Sequence, residues 1–576
     1  MKVTHVLAKI LKKNKINYVF GLQGGAVVHI FDSLEKYKVN VTYTHHEQSA
    51  SLASVANAKI TGKPGCTVVT TGPATTNAMT GLLAAWQDSI PVIFISGQSR
   101  SNHTSYGKKV RQVGTQEVNI CDIVRPITKE AILIRDPNKF SEIFQRAINI
   151  ANSGRKGPVW IDIPLDFQWT DIKLKYQNKF TQKKQIIKKK DISSFKKLLL
   201  DSKRPLAILG YGLRSSENGL KEFKKFLKKS NLPFVTTWNG KDFFSTGHKL
   251  NAGTIGMSGQ RGANKAVFDS DLLICLGTHL SIPHTTTLYD SYAKNSKKII
   301  INVDNNQLKN LNIKFDLKLN YDLGAFIKKL NKIKIKKKQI SLNKFQSFNW
   351  YEPREYKNYI NSNLVVRDIS KKLNEKCIIV DGGGTALYSG FQSTILNKGD
   401  RIVCSSAISS MGTGLAETIG VSITRKFKNY VCIIGDGSFL MNIQDLQNIS
   451  ESKEKILILL INNNGYLAIR HTQKEFLGSK YYGTHPDWKL KMPSFEKIVK
   501  SFNLDYFKIN NNQQYQKYKK LILTLKKPTV VEIITSPEQE SLFKQGYKDN
   551  KDGTFSPMDL GEMYPFVSKP ISNTNN

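Results

Sequence analysis

Two neighbouring apolar runs in the last third of the sequence are each followed by side chains that could bind a cation. The run "YVCII" is followed by Gly435, Asp436 and Gly437, and the run "ILILLI" is followed by Asn462 and Asn463. If both runs are strands of one parallel sheet, these residues meet at its carboxyl edge, where ligands bind in this architecture. A carboxylate, a side-chain amide and a backbone carbonyl are oxygen ligands of the kind that hard divalent cations prefer. The sequence therefore predicts a site for a divalent cation and a phosphate-bearing ligand.

The elements that must position these residues follow an alternating pattern. Three stretches of the chain alternate β-branched runs with amphipathic segments of helix length, which indicates parallel α/β sheets. We predict an α/β fold with domains at 1–170, 188–330 and 355–540 and a C-terminal tail at 541–576, rich in turn formers and expected to lack regular structure. Lysine-rich linkers, "KLKYQNKFTQKKQIIKKK" and "LNKIKIKKKQISLNK", separate the domains. A helix is expected from Ile443, with its amide-rich N-terminus near the predicted phosphate site.

The composition narrows the classes of protein to consider. The formal net charge is +41, but the lysines are scattered over many segments, which favours solvated lysine faces over a nucleic-acid groove. No apolar run approaches the ~20 residues of a membrane span, and the N-terminal stretch does not resemble a signal peptide. The cysteines are isolated and mostly lie in apolar runs, which indicates buried reduced thiols and a cytoplasmic location. They are Cys66, Cys121, Cys275, Cys377, Cys404 and Cys432. We expect no nucleic-acid and no membrane partner.

The separation of Asp436 from Asn463 is 27 residues, the length of a strand, a helix and a second strand. In that setting, "GDGS" followed by "NNNG" resembles the diphosphate-binding motif of thiamine-diphosphate-dependent enzymes. The resemblance implies that Asp436, Asn463 and the backbone carbonyl of Gly465 bind Mg²⁺. It also implies that the residues around Asp436, namely Gly435, Gly437 and Ser438, lie at the cofactor.

The first domain resembles the pyrimidine-binding domain of the acetolactate-synthase-like branch of that family. In "THHEQSA", Glu47 falls on the catalytic glutamate of the family. Its implied role is to hydrogen-bond the pyrimidine ring and favour the imino tautomer, whose nitrogen removes the thiazolium C2 proton. The turn "TGPATTN" implies that Gly72, Pro73 and Asn77 lie near the cofactor. Without the resemblance, Glu47 is a polar residue at a strand end and the turn is an ordinary helix cap.

In the third domain, "SSMGTGLAETIG" resembles the loop that forces the bent shape of the bound cofactor. Met411 would be the apolar wedge, and the Ser409 carbonyl would accept from the aminopyrimidine. The resemblance spans about residues 3 to 540 and implies a pyrimidine-binding, a central dinucleotide-fold-like and a diphosphate-binding domain. It further implies a homodimer or homotetramer with active sites between subunits. The central stretch "GTIGMSGQRGANKAV" fits a pattern found with and without FAD, so flavin stays open.

The resemblance implies decarboxylation of a 2-keto acid, with pyruvate as the expected donor, followed by carboligation to a second carbonyl. Several positions depart from the family pattern around the acceptor. In place of its Phe-Gln-Glu this chain has Thr115, Gln116 and Glu117, so only the aromatic residue is lost. Its lysine is replaced by Leu165, its tryptophan is replaced near Thr472, and its acceptor-binding arginine is replaced by Pro283. Without that cation, no ion pair would offset the cost of desolvating a carboxylate acceptor. Candidate substrate residues are Gln23, Gly24, Gln116, Arg470 and His471.

Three alternatives remain open at this point. The pattern "NNNGYLAIRHTQKEF" with the tail "DGTFSPMDLGEMYPF" resembles acetolactate-synthase-like proteins of surface-polysaccharide pathways, which implies that the chain could transfer an acetyl unit to a nucleotide-linked keto sugar. It could be a simple 2-keto acid decarboxylase that protonates its intermediate. It could also be a basic nucleic-acid-binding protein on a retired enzyme fold, although such a module has no need for Glu47.

Overall fold

The computed structural model describes residues 1–173, 185–552 and 554–566. Three six-stranded sheets and one two-stranded sheet organise this part of the chain, and the registered strand pairs of the large sheets are parallel. The residues fall into two compact units. The first comprises Met1–Lys183, Glu375–Ala386 and Val403–Pro537, and the second comprises Lys184–Asn374, Leu387–Ile402 and Glu538–Asn576. The predicted α/β class with three parallel sheets is confirmed.

The first sheet has the strand order β2-β1-β3-β4-β6-β5. Its strands are β1 Tyr18–Gly21, β2 Asn40–Tyr43, β3 Gly65–Val69, β4 Val92–Gln98, β5 Glu130–Leu133 and β6 Val159–Pro164. Its helices are α1 Val3–Lys13, α2 Val28–Lys36, α3 Glu47–Thr61, α4 Pro73–Asn77, α5 Met79–Gln87, α6 Ile120–Val124, α7 Phe140–Asn152 and α8 Leu165–Gln168. Every residue of β3, β4 and β6 is buried, as expected for inner strands covered on both faces.

The second sheet has the order β12-β11-β10-β7-β8-β9, with β7 at the point where the strand order reverses. Its strands are β7 Pro205–Leu209, β8 Phe234–Thr236, β9 Asn251–Thr254, β10 Leu272–Leu276, β11 Lys297–Ile301 and β12 Leu317–Leu319. Its helices are α9 Lys189–Asp201, α10 Gly212–Ser215, α11 Gly219–Ser230, α12 Arg261–Phe268, α13 Ile282–Thr285, α14 Asn305–Lys309, α15 Leu323–Leu330 and α16 Asn343–Ser347. This is the doubly wound order of dinucleotide-binding folds, as predicted for the central domain.

The third sheet has the order β14-β13-β15-β16-β18-β17. Its strands are β13 Lys376–Val380, β14 Arg401–Val403, β15 Asn429–Gly435, β16 Ile456–Asn462, β17 Asp505–Ile509 and β18 Thr529–Ile534. Its helices are α17 Ser362–Lys372, α18 Gly384–Ser393, α19 Thr413–Ser422, α20 Asp436–Met441, α21 Asp445–Ser450, α22 Leu467–Phe476, α23 Phe495–Ser501 and α24 Asn512–Thr524. Counted from β13, the strand order repeats that of the first sheet.

The helices that follow the second strand of the first and third sheets, α3 and α19, pack directly against each other. A Cβ atom built on Gly420 of α19 would overlap the backbone carbonyl of Ala53 in α3, so only glycine permits this approach. The Asn57 side chain donates to the Gly420 carbonyl at 3.0 Å. Apolar residues of both helices, including Ala50 and Leu415, share one core with the strands of the third sheet.

Two local predictions were wrong. The helix expected from Ile443 begins instead at Asp436, breaks at Asn442 in a non-helical conformation, and resumes at Asp445. The break coincides with the capture of the Asn442 side chain by Ser49 of α3, a long-range contact that the sequence pattern does not encode. The tail contains an antiparallel pair, β19 Tyr547–Asp549 and β20 Phe555–Pro557, rather than lacking regular structure. Asn550 and Asp552 lie between the two strands.

Other expectations concern the linkers, the thiols and membrane spans. Most of the predicted linker "KLKYQNKFTQKKQIIKKK" falls on 174–184, outside the described residues. All six cysteines are free and buried, as predicted. Within the described ranges, no helix is both long and apolar enough to cross a membrane.

Candidate active site

The carboxylate of Asp436 ties together two strand ends of the third sheet. Its Oδ2 accepts from the backbone N–H groups of Asn463 at 3.1 Å and Gly465 at 2.9 Å, and its Oδ1 accepts from Gly437 N–H at 2.8 Å. The side chain is 2 % exposed. Burial raises the pKa of the Asp436 carboxyl to about 6, and these backbone hydrogen bonds oppose that shift. A buried anion is thus held where β15 and β16 end.

The loop after β16 has a shape that depends on small residues. Asn464 and Gly465 both have positive φ, 57° and 134°, and a Cβ on Gly465 would overlap the Thr484 carbonyl. At the start of α20, a Cβ on Gly437 would overlap the ring of Tyr466. These contacts bring backbone N–H groups close to the carboxylate, so the glycines are required by packing and not only by turn propensity.

Arg470 of α22 lies against this loop. Its Nη2 donates to the Asn463 carbonyl at 2.7 Å and to Asn463 Oδ1 at 3.2 Å, and the residue is buried. Desolvation lowers the pKa of the Arg470 guanidinium, and the nearby Asp436 raises it. Asn463 Nδ2 donates to Thr385 Oγ1 at 3.4 Å, so the amide is oriented from both ends. Arg470 therefore supports the loop, and the proposed contact of Arg470 and its half-buried neighbour His471 with substrate stays a prediction.

The donor set at this edge fits a hard divalent cation. Asp436 offers carboxylate oxygens, Asn463 an amide oxygen and Gly465 a backbone carbonyl, all of which are oxygen ligands. Across the described ranges, no three His, Cys, Asp or Glu side chains are grouped so that they could hold a metal. A cation bound here would therefore need the amide, the carbonyl and oxygens of a ligand such as a diphosphate.

Asp381 is a buried acid that the sequence analysis missed. It follows β13, and its carboxylate accepts from Gly414 N–H at 3.0 Å and Gly383 N–H at 3.3 Å. Burial raises the pKa of the Asp381 carboxyl to about 6, whereas a hydrogen bond from Ser438 lowers it. The run "IIVDGGGT" could have predicted this acid, since it is a second apolar strand that ends in Asp-Gly.

The loop before α19 packs on the glycines that follow Asp381. Ser409 has a φ of 50°, and Met411 is half-buried. A Cβ on Gly382 would overlap the Ser410 carbonyl, and a Cβ on Gly383 would lie 2.5 Å from Met411 Cγ. The structure thus brings Ser409 and Met411 to the edge of the sheet that carries Asp381, while their contacts with a cofactor stay predictions.

Glu47 is the first residue of α3 and not a strand end. His46 caps the helix, because its Nδ1 accepts from Gln48 N–H at 3.0 Å. Glu47 is 8 % exposed, and its Oε2 accepts from Asn77 Nδ2 at 3.0 Å. Asn77 ends the short helix α4 that begins at Pro73, so the structure joins two segments that the sequence analysis assigned separately to the cofactor.

The turn before α4 is fixed by a second loop. Gly72 has a φ of 68°, and a Cβ there would overlap the Gln116 carbonyl. Thr71 Oγ1 donates to the same carbonyl at 3.2 Å. The next residue, Glu117, is buried and accepts from Ser105 N–H at 3.0 Å and Ser105 Oγ at 2.7 Å. Glu117 therefore anchors the loop that presents the exposed Gln116.

The remaining candidate residues lie at loops of two sheets. Gln23 is exposed and Gly24 packs on Thr70, both at the carboxyl edge of the first sheet. Pro283 belongs to the second unit and lines a cavity of about 430 Å³. Its polar lining consists of His279, Ser281, Tyr289, Gln307, Asn310 and Asn312. The described lining contains no acidic side chain, lysine or arginine.

The two polar clusters of the first unit follow strands of different sheets. Among the described residues, no hydrogen bond or ion pair joins Glu47 or Asn77 to Asp436 or Asn463. Each cluster nevertheless lies at the carboxyl edge of its own sheet, where the architecture places ligands.

Comparisons with known proteins agree with this arrangement. Three domains of one family match the chain: the thiamine pyrophosphate enzyme N-terminal TPP binding domain at 1–123, the central domain at 192–330 and the C-terminal TPP binding domain at 382–533. The acetolactate synthase large subunit of Buchnera aphidicola subsp. Schizaphis graminum is 30% identical over 536 residues, covering 89% of this chain and 90% of the relative. That of Cyanidium caldarium is 30% identical over 570 residues, covering 92% and 93%. The acetolactate synthase isozyme 2 large subunit of Escherichia coli is 27% identical over 495 residues, covering 84% and 88%. The chain therefore belongs to the thiamine pyrophosphate enzyme family and is a thiamine-diphosphate-dependent enzyme of the acetolactate-synthase-like branch.

Proposed function

We propose that this enzyme decarboxylates a 2-keto acid, with pyruvate as the donor, and joins the resulting acetyl unit to a second carbonyl compound. The observation that carries the proposal is that one unit contains both a buried, hydrogen-bonded Glu47 at the start of α3 and an oxygen cluster around Asp436 at the edge of the third sheet. Bound thiamine diphosphate supplies the electron sink for loss of CO₂. The chain supplies the proton-handling carboxylate and the cofactor anchor.

The first role belongs to Glu47 and Asn77. Asn77 holds Oε2 of Glu47 at 3.0 Å, which fixes the carboxylate plane at the N-terminal turn of α3. A carboxylate fixed in this way can hold a proton for a ring nitrogen of a bound aminopyrimidine. Because the site is largely buried, water competes little for that proton.

The second role belongs to Asp436, Asn463 and the Gly465 carbonyl, which would hold Mg²⁺. Asp436 already organises the loop through its bonds to Asn463 and Gly465 N–H groups. Arg470 and Thr385 orient the Asn463 amide, so an oxygen is presented in a set direction. Such support of a ligand by its neighbours is typical of metal sites.

Glu47 and Asp436 lie in different TPP binding domains, matched at 1–123 and 382–533, and membership of this family supports a homodimer or homotetramer as the active form. A second copy could bring its Asp436 cluster to Glu47 of the first. We therefore propose that each active site forms between subunits.

A second candidate function concerns the acceptor. Pro283 stands where the family pattern has its acceptor-binding arginine, so a carboxylate acceptor would lack that cation, which favours an acceptor without a carboxylate. An aldehyde or a nucleotide-linked keto sugar, as in surface-polysaccharide synthesis, carries no carboxylate, and simple decarboxylation needs no acceptor.

The test is a product assay by mass spectrometry with ¹³C-pyruvate, thiamine diphosphate and Mg²⁺. 2-Ketobutyrate, acetaldehyde and a nucleotide-4-keto sugar are offered as acceptors, with Glu47→Ala as the inactive control and the exposed Glu35→Ala as the matched control. Label in a carboligation product that depends on Glu47 supports the proposal. Label only on the sugar or aldehyde selects the second candidate, and absence of ¹³CO₂ with both wild type and variants rejects pyruvate as the donor.

A further inference from the structure

The side chain of Asn462, the last residue of β16, joins the loop that follows this strand to the neighbouring strand β18. Its Nδ2 donates to Glu532 Oε1 at 2.5 Å, and its Oδ1 accepts from Asn464 N–H at 2.8 Å. The backbone carbonyl of Asn462 accepts from Thr535 N–H at 2.8 Å, directly after β18. The end of β16 is therefore held through both its main chain and its side chain.

Glu532 decides which way the Asn462 amide faces. A carboxylate can only accept hydrogen bonds, so the amide turns its NH₂ group toward Glu532 and its oxygen toward the loop. Glu532 is 3 % exposed, and its Oε2 accepts from the hydroxyl group of Tyr506 in β17. The opposite amide orientation would bring oxygen against a carboxylate and would leave the Asn464 N–H facing another donor. The amide thus has one favourable orientation.

The Asn462 oxygen completes the capture of three successive N–H groups in the loop. The N–H groups of Asn463 and Gly465 donate to Asp436, and the N–H group of Asn464, between them, donates to Asn462. Asn464 has a φ of 57°, in the left-handed region that most side chains avoid, and the hydrogen bond stabilises this conformation. The backbone that presents the Asn463 amide and the Gly465 carbonyl is therefore fixed by Asp436 and by Asn462.

Packing alone does not explain an acid in the middle of β18. The strand reads "TVVEII" and is otherwise uncharged. A buried carboxylate costs desolvation free energy that an apolar residue of similar size would avoid. What the acid contributes at this place is a strong acceptor for Asn462, held in position by Tyr506.

We infer that Glu532 is a positioning residue of the proposed cation site: through the Asn462 amide it fixes the turn at Asn464 and thereby the placement of the Asn463 and Gly465 oxygens. This inference rests on the proposed role of Asp436, Asn463 and Gly465 in holding Mg²⁺. Residues that orient metal ligands without touching the ion typically change metal affinity by about tenfold to a hundredfold when they are substituted.

The test uses the full chain with Glu532→Leu, Glu532→Gln or Asn462→Ala. The exposed Glu451→Leu is the matched control, and Asp436→Asn is the reference for loss of the cation site. The first readout is the Mg²⁺ concentration at half-saturation of thiamine diphosphate binding, measured by titration calorimetry. The second is the affinity for Mn²⁺ in place of Mg²⁺, followed by electron paramagnetic resonance, which reports the ion without turnover. The third is deuterium exchange at C2 of thiamine diphosphate at saturating Mg²⁺ and cofactor, and the fourth is Tm without either ligand.

We expect Glu532→Leu and Asn462→Ala to raise the Mg²⁺ and Mn²⁺ concentrations at half-saturation by about tenfold to a hundredfold. Glu532→Gln should stay within about threefold of wild type, because its amide oxygen can still accept from Asn462 while its NH₂ group donates to the Tyr506 hydroxyl. C2 exchange at saturation should stay within about threefold in each variant, since Glu47 is unchanged.

Half-saturation within twofold of wild type in a folded Glu532→Leu protein would overturn the inference. Equal losses in Glu532→Gln and Glu532→Leu would do the same, as would cation affinities that only follow a lowered Tm. If Glu532→Leu does not fold, Asn462→Ala decides by the same criteria. If Asp436→Asn itself binds Mg²⁺ and cofactor like wild type, the proposed cation site fails rather than the positioning role.

Discussion

The first and third sheets share one strand order but carry their acids at different places. In the first, the carboxylate stands where the helix after the second strand begins, at Glu47. In the third, that helix begins at Thr413, and the carboxylates instead follow the first and third strands of the sheet, at Asp381 and Asp436. On the proposed function, this edge presents a proton-handling group in the first sheet and an oxygen cluster for a cation in the third. Topology fixes where a site can form, and the residue type at each strand end decides what it does.

The largest expected effect separates the two roles. Glu47→Gln removes the carboxylate that we propose handles the proton, while Asp436 and its loop remain intact. We expect C2 exchange and kcat to fall by about a hundredfold to ten-thousandfold, with Mg²⁺-dependent cofactor binding unchanged. NMR exchange and titration calorimetry check this, and the exposed Glu35→Gln is the control. A loss of binding equal to the loss of exchange would mean that the two sheets do not divide these tasks.

Substitution of Asp436 should weaken cofactor binding more than it slows C2 exchange. Asp436→Asn removes the carboxylate that accepts from Asn463 and Gly465, so Mg²⁺-dependent binding of thiamine diphosphate should weaken by at least the tenfold to hundredfold seen for supporting residues of metal sites. Calorimetric titration with and without Mg²⁺ measures it. At saturating cofactor, C2 exchange should recover more fully than in Glu47→Gln. The half-exposed Asp505→Asn, on the same sheet, should bind like wild type.

A third substitution disrupts the contact between helices α3 and α19. In Gly420→Ala, the new Cβ would overlap the Ala53 carbonyl, so α3 and α19 must separate. Overpacking of this kind costs about 1–3 kcal/mol of unfolding free energy, which urea denaturation measures. Gly247→Ala, where a Cβ meets no atom within 4 Å, is the matched control. Equal stability of the two variants would show that the helices can move apart without penalty.

The smallest expected effect is a pH dependence of the unfolding free energy that arises between α3 and α19. Glu417 of α19 is buried near Lys59, Asp88 and Asp381, and Ser405 donates to it at 2.5 Å. Burial raises the pKa of the Glu417 carboxyl to about 7, whereas Lys59 and Ser405 lower it. Because the folded state keeps this proton after the unfolded state has lost it, the group stabilises the fold at low pH, and that contribution fades as pH rises from about 4.5 to about 7.

Glu417→Gln should therefore flatten the fall of unfolding free energy with pH by up to about 1.4 kcal/mol per pH unit within that window. Urea denaturation at several pH values measures the slope, and Glu35→Gln should leave it unchanged. A slope that is the same in Glu417→Gln and wild type would show that Glu417 is ionised in both states.

Features written into local patterns were predictable from the sequence. Apolar runs ending in Gly-Asp-Gly and Asn-Asn predicted the third sheet and its oxygen cluster, because strand burial and turn chemistry are local properties. The bond between Glu47 and Asn77 and the burial of Arg470 were not predictable, since each depends on segments that meet only in the folded chain. The break between α20 and α21 at Asn442 was likewise not predictable, since the Asn442 side chain donates to Ser49 of a distant segment.

The labelling of the six buried cysteines can report the unfolding of the chain. Thiol reagents reach a buried sulfur only when the surrounding structure opens, so the labelling rate follows opening rather than surface chemistry. Cys275 belongs to the second unit and the other five to the first. Labelling followed by mass spectrometry at each sulfur would therefore compare the opening rates of the two units. A cofactor that stabilises only the first unit would slow the labelling of five of the six cysteines.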